Sequence, residues 1–254
     1  MPDLERAGAR IHYDVHGDPS AHLPLLLTHG YGGSARMWQP NLPALSAGRQ
    51  VITWDIRGHG RTSSPEDPSC YSQDESVADM AAILDACGAD RAVVGGLSLG
   101  GYLSLAFHLA HPQRVAALLL FDTGPGFKKD EARDGWNVYA EKVAARFRRE
   151  GVTASAGSSA YRGGSDDAEG LALAALGILR QQDASVIESL PTVAVPTLVL
   201  VGADDTRFLA AADYMTGKIP DTTHAVIADA GHEANIDQPD RFDAAVAAFL
   251  DQNA

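Results

Sequence analysis

Seven short runs rich in Val, Leu and Ile recur along this chain, and each gives way to a turn or to a helical pattern. They span residues 10–17, 23–30, 50–58, 91–98, 115–124, 196–205 and 224–232. The first, "RIHYDVHG", alternates. Others are continuous, as in "LPLLLTHG", "VAALLLFDTG" and "PTLVLVGADD". A strand with one wet face must alternate, whereas a strand covered on both faces has no polar side to present. Continuous strands separated by helices specify an α/β fold: a mostly parallel sheet, helices on both faces and right-handed crossovers. The helices are legible too. Residues 73–87 carry Val77, Met80, Ala81 and Leu84 on one stripe and stop at Gly88, a helix-ending residue. Residues 99–110 end before His111-Pro112, and 239–252 open on proline and bury Phe242, Val246 and Phe249.

The alternation fails once. From Gly124 to about Thr192 no segment reads as a good strand. Residues 133–150 fit an amphipathic helix with Trp136, Tyr139, Val143 and Phe147 on one side. A Gly/Ser/Ala-rich stretch at 153–167 reads as a mobile loop or a linker, and 168–182 is apolar almost all round. We read 124–192 as a helical insertion within one domain spanning 1–254, a length sufficient for a single large core.

Charge and cysteine usage narrow the partners. Acidic residues outnumber basic ones 33 to 20, a net charge of −13, whereas nucleic acid and anionic membranes both demand a basic footprint. No apolar run approaches the ~18 residues of a membrane span, and the opening "MPDLERAGAR" is charged where a secretory leader is apolar. A cytoplasmic protein with a small-molecule substrate is the expectation, with no nucleic acid and no integral membrane association; the oligomeric state is not legible. Cys70 and Cys87 have neither metal-ligand spacing nor the makings of a disulfide framework, and read as free thiols. No metal or cofactor is implied.

Chemistry concentrates at strand ends. "GGLSLGG" puts Ser98 where the run 91–98 ends and the helix 99–110 begins. A sharp strand–turn–helix crossing there strains the serine and lifts its hydroxyl above the sheet, provided the residues two before and two after are small, as Gly96 and Gly100 are. A serine hydroxyl needs a base, and the base an orienting acid. Of the histidines, His232 alone follows the last strand-like run inside a glycine-flanked turn, "DAGHEAN". The acid is expected at the end of the preceding strand. Asp205 of "GADD" is preferred, Asp204 is second, and Asp122, closing "ALLLFD", is the alternative acid. An oxyanion hole is expected from the backbone N–H groups of Tyr31, in "THGYGGS", and Leu99. Phe127 and Trp136 are candidates for lining a substrate pocket, with simple packing as the alternative. His29, Arg57 and His59 read as loop-ordering residues and Trp38 as core.

Together these strings resemble the α/β-hydrolase superfamily over nearly the whole chain. "HGYGGS" is similar to its oxyanion loop, "DIRGHGRTS" to its turn after the following strand, "GLSLGG" to its nucleophile elbow, "GADD" to its acid turn and "AGH" to its histidine loop. The resemblance implies Ser98 as nucleophile, Asp205 as acid, His232 as base and 124–192 as the cap. A serine nucleophile sets the chain apart from the dehalogenases and epoxide hydrolases of this fold, which use aspartate. The activity implied is a carboxylesterase-like serine hydrolase. Alternatives are a lactone (enol-lactone) hydrolase, a C–C bond hydrolase of the same fold, or a ligand-binding receptor that keeps the triad. The opening 110 residues also resemble the 3-oxoadipate enol-lactone hydrolases, while the cap region shows no clear match.

Overall fold

The computed structural model describes residues 3–18, 22–155 and 166–253. Eight strands, β1 (Asp3–Arg6), β2 (Ala9–His16), β3 (Leu25–Thr28), β4 (Val51–Trp54), β5 (Ala92–Leu97), β6 (Val115–Phe121), β7 (Thr197–Gly202) and β8 (Thr222–Ile227), form one sheet in the order β1-β2-β4-β3-β5-β6-β7-β8. The β1–β2 and β2–β4 pairs are antiparallel, and all the others are parallel. The fold expected from the sequence is the fold observed, a mostly parallel sheet between two helical layers. Strand β1 was not legible: its residues DLER carry no apolar run, and the two-residue turn that pairs it with β2, Ala7-Gly8, has positive φ at both positions (43° and 75°) as a tight hairpin requires.

The central strands are continuous because each feeds two apolar layers. Leu26, Ile52, Val94, Leu118, Leu120, Val199 and Val201 face one layer. Leu25, Leu27, Val51, Val93, Leu119, Phe121, Leu198 and Leu200 face the other. The helices α1 (Leu42–Leu45), α2 (Gln73–Ala86), α3 (Leu99–Ala110), α4 (Asp130–Glu150), α5 (Ala168–Ala174), α6 (Ser185–Ser189), α7 (Leu209–Thr216), α8 (Ala234–Asp237) and α9 (Pro239–Asn253) pack around this sheet. Helix α2 starts at Ser72, whose Oγ accepts the Glu75 N–H at 3.0 Å, and ends before Gly88 at φ 68°. Its fully buried stripe holds Ile83 in place of the expected Ala81, which is only half-buried. In α4 the buried side is Ala140, Ala144 and Phe147, and Tyr139 is exposed, because the small alanines let α5 approach.

Between β6 and β7 the described residues contain helices and no strand. Residues 156–165, most of the expected Gly/Ser-rich loop, lie outside the described residues. After α5 the chain takes a π-helical turn (Ala175–Leu179).

Strand order reverses at β3: β4 lies on one side of it and β5 on the other. Loops leaving the carboxyl ends of β3 and β5 therefore part in opposite directions and open a crevice, the position where ligands enter open α/β sheets. The turn after β4 is anchored by Arg57, which is fully buried. Its Nε and Nη2 donate to Asp79 at 2.7 and 2.9 Å, and its Nη groups reach the carbonyls of Arg6, Ala7 and Cys70. Arg57→Met leaves the Asp79 carboxylate buried with Arg6 as its remaining ion partner. The expected loss is about 3 kcal/mol in urea unfolding, and adding Asp79→Leu restores much of it. Equal losses in the single and double variants would show that the charge is not the cause.

Candidate active site

Ser98 is the junction residue between β5 and α3, and its backbone sits at φ 55°, ψ −114°. A non-glycine residue in that region costs on the order of 1–3 kcal/mol and persists only where its surroundings over-determine it. Here Ser98 N donates to Phe121 O at 2.9 Å, and Ser98 O accepts from Tyr102 N at 3.1 Å and from Thr123 Oγ1 at 2.5 Å. Close approach explains the flanking glycines. A Cβ on Gly96 would collide with backbone of Gly100 and Thr28, one on Gly100 with Thr28 O, and one on Gly101 with the Thr123 side chain. Leu99 opens α3, so its amide belongs to the first turn, whose N–H groups have no partner within the helix.

The turn after β7 carries the candidate acid. Asp205 is buried, with its amide donating to Gly202 O at 3.1 Å. His232 Nδ1 lies 2.7 Å from Asp205 Oδ2. A carboxylate can only accept, so Nδ1 is the donor in this contact. Phe208 stacks on the imidazole, with ring centroids 4.9 Å apart and planes 20° apart. Asp204 is exposed. No hydrogen bond joins Ser98 Oγ to His232 among the described residues; such contacts are often loose before substrate binds. The two are linked through Phe208, which also walls the cavity that contains Ser98.

Asp122, the alternative acid, does not reach the histidine. It closes β6 at φ 44°, fully buried, with Oδ1 accepting the Gly202 N–H at 2.8 Å. Burial pushes its carboxyl up to about 8, and the neighbouring Asp205 carboxylate adds to the rise. Asp122 is thus largely a neutral acid at pH 7, held under the turn that carries the triad candidate.

The β3 loop lies against the elbow: a Cβ on Gly30 would be 3.4 Å from Ser98 Cβ. Gly33 N closes a turn onto Gly30 O at 3.0 Å. Two buried histidines tie this loop to the turn after β4. His29 Nδ1 donates to Gly30 O (2.7 Å) and Nε2 accepts Ile56 N (3.0 Å). His59 Nδ1 donates to Arg57 O (3.1 Å) and Nε2 accepts Gly32 N (2.9 Å). Burial lowers the two rings to about 4 and about 3, so both stay neutral at neutral pH. Tyr31 stands between them and the helices: its hydroxyl donates to Leu171 O at 2.7 Å and its ring meets His59 edge-on.

A cavity of about 350 Å³ opens at Ser98, and both sequence candidates, Phe127 and Trp136, line it. Trp136 Nε1 donates to Leu179 O at 2.8 Å, which fixes the ring. Sequence reasoning missed Tyr102, Gln181, Arg207 and Phe208, also in the wall. Only Arg207 and Phe208 carried a signal, their closeness in sequence to Asp205. Gln181 Oε1 accepts the Phe127 N–H at 3.1 Å, and Gln181 also bounds a second cavity of about 470 Å³ lined by Tyr71, Asn137 and Arg180. Among the described residues no group of three His, Cys, Asp or Glu side chains is placed to hold a metal.

The Asp122 environment has a pH consequence. Its folded pKa lies above the unfolded one, so the stability it contributes is complete below about 4 and is lost as pH rises toward about 8. Asp122→Asn keeps the acceptor for Gly202 and removes the proton. The melting temperature of this variant relative to wild type should climb steadily between pH 5 and pH 8. A constant difference across that range would mean Asp122 is already ionised in the fold.

Comparison with known proteins agrees with this fold. Residues 24–162, more than half of the chain, match the family model of the alpha/beta hydrolase fold. The 3-oxoadipate enol-lactonase 1 of Acinetobacter baylyi is 28% identical over 258 residues, covering 93% of this chain and 91% of that protein. A putative carbamate hydrolase RutD of Azorhizobium caulinodans is 38% identical over 120 residues, and this match spans 47% of the chain and 43% of that protein. Among solved structures, a thermophilic esterase from Thermogutta terrifontis superposes with a TM-score of 0.82 at 29% identity, over 96% of this chain and 94% of its own. With the sheet order, the elbow and the family match in agreement, this chain belongs to the α/β-hydrolase family.

Proposed function

We propose that the protein is a serine hydrolase that cleaves carboxylic esters of small or medium substrates through an acyl-enzyme. The observation that carries the reading is the convergence on one cavity of a strained Ser98 and, through Phe208, of the Asp205–His232 pair. Ser98 Oγ attacks the ester carbonyl as its proton passes to His232 Nε2. The developing oxyanion is held by the backbone N–H groups of Tyr31 and Leu99. The alcohol leaves with the proton from His232, and water repeats the sequence to free the acid. Asp205 keeps the imidazole in the Nδ1–H tautomer and stabilises the imidazolium. The helices between β6 and β7 act as the cap, with Phe127 and Trp136 lining the acyl or alcohol pocket.

A lactone is the second reading, favoured by the enol-lactonase relative that aligns along almost the whole chain. The bond chemistry is the same, and the alcohol stays tethered after cleavage.

Hydrolysis of a 4-nitrophenyl ester series from acetate to decanoate is the test, with an enol-lactone assayed in parallel. Ser98→Ala and His232→Ala should each lose on the order of 10⁶ in kcat. Asp205→Asn should lose about 10⁴ and far exceed the loss in Asp122→Asn. A fluorophosphonate should add mass to wild type and not to Ser98→Ala. Folded wild-type protein with neither turnover nor adduct would exclude a nucleophilic serine and favour a binding role. A tenth of wild-type rate retained in His232→Ala would exclude that base.

A further inference from the structure

Arg207 stands in the wall of the Ser98 cavity, two residues beyond Asp205, and is exposed to solvent. Its guanidinium carbon lies 5.4 Å from the centroid of the Tyr139 ring. Tyr139 is 5.3 Å from Trp136, and Trp136 is 5.8 Å from Phe127, so an aromatic row runs from the cation into the cavity. Among the described residues no carboxylate forms an ion pair with Arg207 and its nitrogens make no hydrogen bond. Among the described residues the rest of the cavity wall holds no Asp, Glu, Lys, Arg or His. In a chain of net charge −13, one unpaired positive charge among the described residues therefore borders the candidate active site.

That arrangement differs from an ordinary surface arginine in two respects. A ring face engages the flat side of a guanidinium and leaves its N–H edge available. It also orders the long side chain in advance, which lowers the entropy cost of a further contact. A planar fork with a free edge matches a carboxylate through two parallel charge-assisted hydrogen bonds. No other described side chain in the wall carries a positive charge that could supply such a contact.

We propose that Arg207 is a carboxylate-recognition subsite, and that the preferred substrate bears a free carboxylate in addition to the ester or lactone bond cleaved at Ser98. The cleavage rests on the serine-hydrolase reading above; the recognition of the carboxylate does not. In the bound substrate the carboxylate accepts from the guanidinium edge while Tyr139 holds the opposite face.

Two esters of equal chain length test it: 4-nitrophenyl hexanoate, which is neutral, and mono-4-nitrophenyl adipate, which ends in a carboxylate. The ratio of their kcat/KM values (adipate over hexanoate) should fall about tenfold in Arg207→Gln, as expected for loss of one exposed charge-assisted pair. Arg207→Lys should recover part of it, and Arg207→Glu should fall below Gln. The wild-type ratio should also shrink as sodium chloride is raised from 10 to 500 mM, whereas the Arg207→Gln ratio should not. Binding separates the two claims. By calorimetry, Ser98→Ala should bind adipamate about tenfold more tightly than hexanamide, and Ser98→Ala/Arg207→Gln should bind them alike. If both esters are inert while the adipamate preference stands, the hydrolase reading fails and the subsite survives. If the esters are cleaved but the ratio is the same in wild type and Arg207→Gln, or the two amides bind equally to Ser98→Ala, Arg207 is a packing residue and the subsite is overturned.

Discussion

The structure turns on one unfavourable backbone conformation. Ser98 occupies positive φ between a strand and a helix, and the chain arranges its neighbours to keep it there. Phe121 O, Tyr102 N and Thr123 Oγ1 bind the Ser98 backbone directly. The absence of side chains at Gly96 and Gly100 lets β3 and α3 close around it. Strain of this size is tolerable because the same contacts also build the sheet: Phe121 ends β6, and Thr28 ends β3. Local cost and global packing cannot be separated here. A chain that relaxed the serine would have to open the centre of its sheet.

A second level of organisation lies in how the loops are pinned. The loop after β3 and the turn after β4 carry backbone groups that regular structure does not satisfy, and two neutral histidines satisfy several of them, while the buried Arg57 ties its turn to the carbonyls of Arg6, Ala7 and Cys70. At the far side a single turn after β7 delivers three different groups within four residues: the acid Asp205, the cation Arg207 and the ring Phe208 that covers His232. Movement of that turn would shift charge, orientation and shielding together.

These features differ in how visible they are in the sequence. The sheet was legible because burial on both faces removes polar residues from Leu25–Thr28, Val115–Phe121 and Thr197–Gly202, and few other environments do so. Ser98 and Asp205 stood out as candidates because each lies just beyond such a run, and His232 because a glycine-flanked turn carries it after β8, a strand that is mostly exposed or half-buried. Strand β1 was hidden because it lies at the sheet edge with a half-exposed pattern and little need of apolar residues. Asp122 stayed open as an alternative to the preferred Asp205, since both follow a strand end; the three-dimensional turn separates the one beside His232 from the one beneath Gly202. The cavity wall was the least legible part. Tyr102 lies on α3 and Gln181 in the connection after the π-helical turn, far apart in sequence, and no local pattern announces that they share a wall.

Gln181 has a wider consequence. It lines both the cavity of about 350 Å³ at Ser98 and the second cavity of about 470 Å³. The elbow, the histidine and the acid all lie on other elements. A substitution at Gln181 therefore alters the lining of two existing spaces at once and leaves Ser98, Asp205 and His232 in place.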